Sequence, residues 1–366
     1  MKFQIEKETL LEPLQQIIGA VEKRQTMPAL SNVLIRTTKD SLTLTATDLE
    51  IELVSQIDIV IDEPGEITVP ARKLLDICKS LPENAGIKFS VKDAKALLQS
   101  GRSRFSLATL PANDFPALES INSIHEFDIA EKTLRDIIDK TAFAMAQQDV
   151  RYYLNGLMLE VSANYLRAVA TDGHRLAFCE KETSADIADI KQVILPRKGV
   201  LELVRLLSDS DSMIKVVLGS NHLQVEFNRL RLTSKLIDGR FPDYNRVMPT
   251  DGKNMVTADR DQLRQALMRA SILSNEKYRG IRLNLEKNLV KLQAQNPDQE
   301  EADVDMEVDY NGDEIEIGFN VNYMLDVLNV TGSEMVQAAL RDSNSSFLIT
   351  YPDQPDCKYV IMPMRL

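Results

Sequence analysis

The string TDGHRL at residues 171–176 holds the residue types in this chain that are best suited to acid–base chemistry. Asp172 and His174 could exchange protons, and Arg175 could stabilise negative charge that develops on a substrate. A Thr-Asp pair recurs at residues 47–48, at the matching point of an earlier segment that has no histidine. An Asp-Gly pair after a strand is typical of a turn. The pattern therefore favours a structural turn, and we predict that the chain has no catalytic residues and is not an enzyme.

The remaining motifs also argue against catalysis and against a bound cofactor. The chain has neither a G-x-x-x-x-G-K-[ST] phosphate loop nor a G-x-G-x-x-G nucleotide fingerprint. His125, His174 and His222 lack the spacing of metal ligands, and no Ser-His-Asp arrangement can be assembled. The sequence therefore predicts no cofactor and no metal.

The composition predicts protein cores built from aliphatic residues. Hydrophobic residues make up 44% of the 366 residues, while tryptophan is absent and aromatics reach only 5%. Cys78, Cys179 and Cys357 form no CxxC pair, which is typical of reduced thiols. The N-terminus shows no apolar leader, and no apolar stretch approaches roughly 18 residues. We expect a soluble cytoplasmic protein without a membrane partner. The net charge of −12 argues against a simple basic nucleic-acid binder, although local charge matters more than the total.

Three similar repeats follow one another along the chain. FQIEKETLLEPLQQIIGAV begins at Phe3, FDIAEKTLRDIIDKTAFAM at Phe127 and VTADRDQLRQALMRASIL at Val256. Each is a short extended piece followed by apolar residues at helical spacing. The strings SLTLTATD, YLRAVATD and LVKLQAQN then alternate apolar and polar residues, as strands do, and end in two steps of 124 residues.

Two further blocks recur in the same order. A strand leads into a second helix after Pro70, Pro196 or Asn320, residues that suit the start of a helix. A pair of strands then closes each repeat. The alternative is chance similarity among amphipathic segments, but four ordered blocks predict an α+β protein of three similar domains. Each has two helices and several strands, at residues 1–124, 125–250 and 251–366.

Equal domains that join head to tail can close into a ring. A domain of this size is roughly 36 Å across, so six would leave a hole of roughly 36 Å and four only about 15 Å. Duplex DNA is roughly 20 Å across. Two chains of three domains would therefore admit DNA with a layer of water, although many repeat proteins never form rings.

Two strand candidates of opposite charge predict a seam between chains. GRSRFSL at 101–107 alternates basic and aromatic residues, and PDQEEADVDMEVD at 297–309 is strongly acidic. Exposed strand edges invite pairing, and opposite charges would favour first-to-third repeat pairing over self-pairing. The alternative is that both are solvated faces of unrelated strands.

Basic residues recur where the second helices of the first two repeats begin. Arg72 and Lys73 stand in the first, and Arg197 and Lys198 in the second. Any one of them alone is most simply solvated surface. On a shared inner face they would contact phosphates without reading bases, so DNA binding would be salt-dependent and independent of sequence.

Over its whole length the chain resembles the beta sliding clamps of bacterial DNA polymerase III. The matching strings are GRSRFSLATLPANDFP, QDVRYYLNG, ATDGHRLA, LPRKGV, SKLIDGRFPDY, RASILSNEKYRG, QNPDQEEA, GFNVNYMLDVLN and VIMPMRL. The resemblance implies a ring-shaped, head-to-tail homodimer of six domains, with helices lining the hole and sheets outside. Such a ring would encircle duplex DNA and tether DNA polymerases, an ATP-dependent clamp loader and repair proteins.

The resemblance also implies three sets of site residues. DNA contacts are implied at Arg24, Arg72, Gln148, Tyr152 and Tyr153, with Arg197 and Lys198 facing the hole. A dimer seam is implied at Arg102, Phe105, Leu107, Ile272 and Leu273. A groove for short apolar partner peptides, one per chain, is implied at Leu154, Thr171, Gly173, His174, Arg175, Leu176, Pro242, Arg246, Val247, Tyr278, Asn320, Tyr323, Ser346, Val360, Met362, Pro363, Met364 and Arg365. The methionines suit an adaptable surface that accepts several partners.

The chain departs from the family pattern at three places. Tyr278 stands where phenylalanine is common, and Asn344 where an aliphatic residue is common. The third repeat has Asn-Val-Asn-Tyr at 320–323 in place of a basic helix start, so DNA contacts should fall mainly on the first two repeats. Two other functions are alternatives to a clamp: a peptide-binding scaffold without DNA affinity, and a hydrolase that uses Asp172, His174 and Arg175.

Overall fold

The computed structural model describes residues 1–22, 27–116, 118, 123–185, 187, 189–249 and 252–365. The helices in these residues are α1 (Lys7–Ile17), α2 (Ala71–Ser80), α3 (Glu131–Asp139), α4 (Arg197–Leu206), α5 (Arg260–Ser271) and α6 (Val321–Asn329). The prediction of two helices in each repeat is confirmed.

The strands alternate with these helices along the chain. Up to residue 130 they are β1 (Lys2–Glu6), β2 (Asn32–Thr37), β3 (Ser41–Thr47), β4 (Ile51–Asp58), β5 (Ile61–Glu63), β6 (Gly65–Pro70), β7 (Gly86–Lys92), β8 (Lys95–Ser100), β9 (Ser103–Ala108) and β10 (His125–Ala130). Up to residue 259 they are β11 (Gly156–Val161), β12 (Tyr165–Thr171), β13 (Arg175–Glu182), β14 (Lys191–Pro196), β15 (Met213–Leu218), β16 (His222–Glu226), β17 (Leu230–Lys235) and β18 (Asn254–Asp259). The last are β19 (Gly280–Glu286), β20 (Leu289–Gln295), β21 (Glu301–Glu307), β22 (Ile315–Asn320), β23 (Met335–Leu340), β24 (Phe347–Tyr351) and β25 (Gln354–Ile361).

Contacts divide the chain into two compact units. The first unit contains Met1–Lys132 and Leu201–Leu236, and the second contains Thr133–Val200 and Ile237–Leu366. The units do not follow the repeats, because part of the middle repeat joins a sheet of the first repeat and part joins a sheet of the last.

The first unit contains two antiparallel sheets. The smaller has the order β5-β1-β7-β8-β9, and the larger has the order β10-β15-β16-β17-β4-β3-β2-β6. Helices α1 and α2 bury their apolar faces together with the alternate apolar residues of β3. Leu42, Leu44 and Ala46 are fully buried, as their alternation predicts.

The second unit repeats this plan. Its larger sheet has the order β14-β11-β12-β13-β25-β24-β23-β18, and its smaller sheet has the order β21-β20-β19-β22. Leu166, Ala168 and Ala170 of β12 are buried in the same way, and so are Val290 and Leu292 of β20.

One strand pairing joins successive repeats in each unit. In the first unit β4 pairs with β17, which we call the first junction; in the second unit β13 pairs with β25, the second junction. Strand β9 corresponds to β17 and β25 in its repeat, and β21 corresponds to β4 and β13. Unlike those strands, β9 and β21 are each the edge strand of their sheet. They are the basic-aromatic and the acidic strand predicted from the sequence.

The helix starts follow local chemistry. Asn320 caps α6, since its side chain accepts a hydrogen bond of 2.9 Å from the Asn322 N–H, as an N-cap residue should. Pro70 instead closes β6 and precedes α2, so it belongs to the strand rather than to the first helical turn. Lys7, the first residue of α1, donates a 2.6 Å hydrogen bond to the carbonyl of Leu81, which directly follows α2. This bond connects the start of α1 to the end of α2.

Cys78, Cys179 and Cys357 are free and buried. Within the described ranges, every helix is too short or too polar to cross a membrane, and no group of three or more His, Cys, Asp or Glu residues could hold a metal ion.

Candidate functional site

The turn between β12 and β13 is built from the TDGHRL string. The Asp172 carboxylate accepts from the His174 N–H at 2.9 Å and from the Arg175 N–H at 3.0 Å. Gly173 has φ +88°, a conformation that suits glycine. The matching turn of the first unit has the same bonds, because Asp48 accepts from the N–H groups of residues 50 and 51 at 2.9 and 2.8 Å. The carboxylate therefore shapes a turn, as the sequence predicts.

Arg175 ties this turn to helix α6. Its guanidinium donates to Asp172 at 3.1 Å, to the Phe143 carbonyl at 2.9 Å and to Asp326. It also lies over the Tyr323 ring, 4.6 Å from the centroid, and His174 stacks on the same ring at 6.4 Å. Burial, followed by the nearby Asp172 carboxylate, raises the pKa of Tyr323. Three of the predicted groove residues, His174, Arg175 and Tyr323, thus pack together as one wall.

An apolar floor lies on the groove face, which we define as the face of the second junction that carries Leu176 and Val360. These two residues are directly paired across β13 and β25. Together with Leu154 they belong to one buried cluster, whose other members are Ala146, Met158, Val169, Phe178, Ile194, Phe241 and Tyr244. Leu154, Leu176 and Val360 are at most 3% exposed, so they support the floor more than they form its open surface.

Arg167 holds the loop that covers part of this floor. Its guanidinium donates to Glu160, to Glu180 and to the Tyr244 hydroxyl, the last at 2.6 Å. Burial, before any charge effect, raises the pKa of Tyr244. The loop that carries Tyr244 therefore has one fixed anchor, while its neighbours Pro242, Arg246 and Val247 are exposed.

The chain after β25 lies along the same turn. The Met362 N–H donates to the His174 carbonyl at 2.9 Å, and the Ser346 hydroxyl lies 3.0 Å from the Met362 sulfur. The Met364 N–H donates to the Gly318 carbonyl at 2.7 Å. Met362, Pro363 and Met364 are each half-buried, which leaves part of each side chain accessible to a partner.

Two clefts open beside these elements. One of about 410 Å³ is lined by Phe143, Ala146, Asp172, His174, Arg175 and Tyr323. The other, of about 630 Å³, is lined by Tyr278, Met364 and Arg365 together with polar residues of β19, β20 and β21. Of the predicted groove residues, Tyr278, Met364 and Arg365 therefore line a different cleft from that of His174, Arg175 and Tyr323. Asn320 adjoins the second cleft, because its amide donates to the Tyr278 carbonyl at 3.2 Å.

Two of the three departures from the family pattern, Tyr278 and Asn344, lie on the surface. Tyr278 is 53% exposed, so its hydroxyl adds a polar group without displacing any packed atom. Asn344 is exposed in the turn before β24, where its N–H donates to Asp342 at 2.9 Å.

The predicted DNA contacts of the second unit are held together by one loop. The Asn155 side chain bonds both the N–H and the carbonyl of Asp149, at 2.9 and 2.8 Å, and the Asn155 carbonyl accepts from the N–H of Arg197 at 3.0 Å. This places Gln148, Tyr152 and Tyr153 on a loop tied to the first turn of α4, which carries Arg197 and Lys198. The hydrogen-bonded Arg151 guanidinium lowers the pKa of Asp149 to about 2, so this carboxylate stays charged and occupied by Arg151.

The two remaining predicted DNA contacts, Arg72 and Arg24, do not belong to this loop. Arg72 is exposed in the first turn of α2, in the first unit. Arg24 lies outside the described residues.

The predicted seam residues lie on or near the two free edges. Arg102 is exposed in the turn between β8 and β9, and Phe105 is half-buried on β9. Leu107 is only 7% exposed and belongs to the core of its own unit. Ile272, which directly follows α5, is 74% exposed, and Leu273 is half-buried. Such exposure of an aliphatic side chain argues against the plain helix-core interpretation of Ile272.

Several residues that build the site were not predicted. Phe178 could have been found, because it alternates with Leu176 on β13. Arg167, Asp326 and Phe143 could not, since their roles depend on bonds between elements distant in the sequence.

Comparison with known proteins gives one result along the whole chain. The families described as DNA polymerase III beta subunit N-terminal, central and C-terminal domains match residues 1–119, 128–243 and 245–365. A beta sliding clamp of Pseudomonas aeruginosa is 56% identical over 368 residues, and that of Escherichia coli is 49% identical over 367, each covering 100% of both chains. A crystal structure of the beta subunit of Pseudomonas aeruginosa DNA polymerase III matches with a TM-score of 0.98 over 100% of both chains, at 56% identity.

Proposed function

The chain belongs to the DNA polymerase III beta subunit family, and from that premise we propose that two copies close head to tail into a ring around duplex DNA. As a member of this family it is a DNA polymerase processivity factor and an accessory subunit. In our proposal the three domains span residues 1–124, 125–250 and 251–366, and the ring has no catalytic residues of its own. It works in the cytoplasm, where an ATP-dependent loader opens and closes it.

One observation supports the ring. The same type of strand pairing occurs twice within the chain, and the third equivalent of each partner strand has an unpaired edge. Strand β4 pairs with β17 at the first junction, and β13 pairs with β25 at the second. Strand β21 follows β20 as β4 follows β3, and β9 follows β8 as β17 follows β16, yet β9 and β21 are edges. An exposed strand edge is a template for pairing with another chain. A third pairing of the same kind, between β21 of one copy and β9 of the next, closes the ring.

The two existing pairings also predict the register of the third. Leu53 pairs with Leu232 at the first junction, and Ala177 pairs with Tyr359 at the second. Within their hairpins, Ala302 on β21 holds the place of Leu53 and Ala177. Phe105 on β9 holds the place of Leu232 and Tyr359. If Ala302 faces Phe105 of the next copy, then Asp303 faces Arg104 and Asp305 lies level with Arg102. Opposite charges directly across an antiparallel pair are stabilising, and they also oppose the pairing of either edge with itself.

The DNA-facing residues support the same proposal. Arg72, Arg197 and Lys198 stand in the first turns of α2 and α4, and Tyr152 is 58% exposed beside α4. With Arg24, Gln148 and Tyr153 they would contact phosphate and sugar without reading bases, so the ring would slide rather than stop at a sequence.

The groove supports the tethering of partners. Polymerases, the loader and repair proteins would insert short apolar peptides beside the Arg175–Tyr323 wall, over the floor that Leu176 and Val360 support. A cleft whose polar groups are fixed by hydrogen bonds and which adjoins a buried apolar cluster is a candidate ligand site. Its half-buried methionines can adjust to side chains of different shape.

Retention on circular DNA tests the ring directly. The protein is loaded onto nicked circular DNA with a matching loader, and retention is measured before and after linearisation. Release only on linearisation is the expected result, since an encircling ring slides off a free end. Equal retention on both forms would show direct grip on the duplex and would overturn the proposal. Absence of any salt-sensitive association would favour the scaffold alternative, and turnover lost in a His174→Ala variant would favour a hydrolase.

A further inference from the structure

We propose that Lys79 and Asp76 of helix α2 bind the C-terminal end of α5 in a second copy of this chain, so that helices as well as strands hold the seam. This inference rests on the proposed ring. It assigns two exposed charged residues, which lack a described contact in their own chain, to a specific position on the neighbouring subunit.

The first junction shows the contact on which the inference is based. Arg205 of α4 donates to the Gln15 carbonyl at 3.1 Å and to the Gln16 carbonyl, both in the last turn of α1. Glu202, one turn earlier on α4, holds the same guanidinium at 2.8 Å. A cation at a helix C-terminus is stabilised by the unpaired carbonyls and by the helix dipole. The helix of one repeat is thus bound to the helix end of the preceding repeat.

The second junction has a related arrangement. Asp326 holds the sixth position of α6, as Glu202 does in α4. It binds Arg175, which donates to the Phe143 carbonyl at 2.9 Å. Phe143 is the thirteenth residue counted from the start of α3, the place that Gly19 holds relative to α1. At both junctions an arginine therefore links an acidic residue of the second helix to a carbonyl of the preceding first helix or of the turn that follows it: Arg205 of α4 at the first junction and Arg175 of β13 at the second.

Helix α2 carries the same pair at the same positions. Asp76 is its sixth residue and Lys79 its ninth, as Glu202 and Arg205 are in α4. Both side chains are exposed, and within the described ranges neither has an ion-pair or hydrogen-bond partner. The pair is therefore available to a neighbouring molecule.

The counterpart of the α1 end is the end of α5, which is exposed to solvent, although its Met268 carbonyl already accepts one hydrogen bond of 2.8 Å from the Ser271 hydroxyl. Met268 and Arg269 hold the ninth and tenth positions of α5, as Gln15 and Gln16 do in α1. Met268 is 48% exposed and Ile272 is 74% exposed. When β9 of one copy pairs with β21 of the next, α2 of the first meets α5 of the second as α4 meets α1.

The side chains at this position are complementary in size. A Cβ on Gly19 would overlap the Glu202 carboxylate, so that carboxylate fills the space of a missing side chain. The counterpart of Gly19 is Ile272, and the counterpart of Glu202 is Asp76, which is shorter by one methylene. The larger residue on α5 is thus matched by the smaller acid on α2.

Sedimentation of the full-length chain without DNA tests the role of Lys79. We expect Lys79→Glu to raise the dimer dissociation constant roughly tenfold or more, because a carboxylate is repelled by the α5 carbonyls. Lys79→Arg, which copies Arg205, should stay within about twofold of the wild type. Lys39→Glu makes the same charge change on an exposed loop between β2 and β3 and should have no effect. A Lys79→Glu dimer as tight as the wild type would overturn the inference, whereas a wild type that never dimerises would overturn the ring itself.

Cross-linking gives a second readout that does not depend on binding strength. Asp76→Cys combined with Ile272→Cys should yield a covalent dimer with a short bismaleimide, and neither single variant should. The three native cysteines are buried, so they do not compete for the reagent. A double variant that dimerises but gives no covalent dimer would contradict the proposed position of α2 against α5.

Discussion

The two junctions share one backbone arrangement but present opposite chemistry. Leu176 pairs with Val360 on the groove face, and at the same places of the first junction Glu52 pairs with Thr233. The neighbouring pairs continue the contrast. Val169 and Leu348 of the second junction correspond in register to Thr45 and Gln224 of the first, whereas Phe178 and its counterpart Val54 are both apolar. Strand pairing therefore builds the join, while the outward residues decide whether the join can bind an apolar peptide.

The face of the first junction that carries Glu52 and Thr233 is lined by charged groups. Glu52 lines a cleft of about 510 Å³ with Glu226, Lys215 and Arg231. A peptide side chain placed there would have to displace water from charged groups, which costs more than apolar contact returns. This difference explains why a protein with two similar junctions has its candidate peptide groove at only one of them.

The largest effect is expected when the groove face is given the residue of the first junction. Leu176→Glu, which copies Glu52, should weaken binding of a short leucine- and phenylalanine-containing peptide roughly 100-fold or more, because it places an unpaired carboxylate in the floor. Fluorescence polarisation with a labelled peptide measures the change. Ile190→Glu adds the same charge at a residue that is 59% exposed and should leave the affinity unchanged. Retention on circular DNA should survive in both variants, and unchanged peptide affinity of Leu176→Glu would contradict the assignment of the groove.

The wall beside the floor should matter for stability as well as for binding. Arg175→Ala removes three donated interactions and leaves Asp172 and Asp326 without their shared cation. We expect a loss of about 2 kcal/mol in the free energy of unfolding, since hydrogen bonds to charged groups contribute about 1.5–3 kcal/mol. Urea denaturation monitored by circular dichroism measures it. The matching residue of the first junction is Ile51, so Ile51→Val should give only an ordinary packing loss of about 1 kcal/mol. An Arg175→Ala variant as stable as the wild type would show that the wall is not held by this residue.

A smaller effect is expected at the anchor of the covering loop. Tyr244→Phe removes the hydroxyl that accepts from Arg167 at 2.6 Å and keeps the ring in the apolar cluster. The expected loss is about 1.5 kcal/mol in the free energy of unfolding, the lower end for a hydrogen bond to a charged group, because Arg167 keeps Glu160 and Glu180 as partners. Peptide affinity should fall less than in Leu176→Glu, because the floor is intact. A loss as large as that of Tyr244→Ala would mean that the hydroxyl, not the ring, holds the loop.

The sequence predicts the repeated elements better than it predicts the site. Alternation on β3, β12 and β20 and the helical spacing in α1, α3 and α5 depend on local geometry, which any repeat carries in its own residues. The edge positions of β9 and β21 also follow, because charge marks them. The Arg175 contact with Asp326 joins residues 151 apart in the chain, and no local pattern encodes it. The predicted groove residues were available only through the family resemblance, since the strands that support the buried floor have the same alternation as an ordinary core strand.

The smallest effect concerns the charge that makes the first junction polar. Burial raises the pKa of Glu52 above its usual value of 4.5, and the Leu118 N–H and Arg231 only partly oppose this. A carboxyl that holds its proton more tightly in the folded than in the unfolded protein stabilises the fold at low pH and loses that contribution as the pH rises. The wild type should therefore lose stability relative to Glu52→Gln as the pH increases from about 4.5 towards neutrality.

Unfolding in urea across this pH range measures the difference between the two proteins. Thr233→Val, which copies Val360 on the same face, is the matched control, because it changes polarity without removing a titratable group. Its stability difference from the wild type should stay constant with pH. A Glu52→Gln difference that is equally constant would show that Glu52 is well solvated. The contrast between the junctions would then be one of side-chain shape rather than of buried charge.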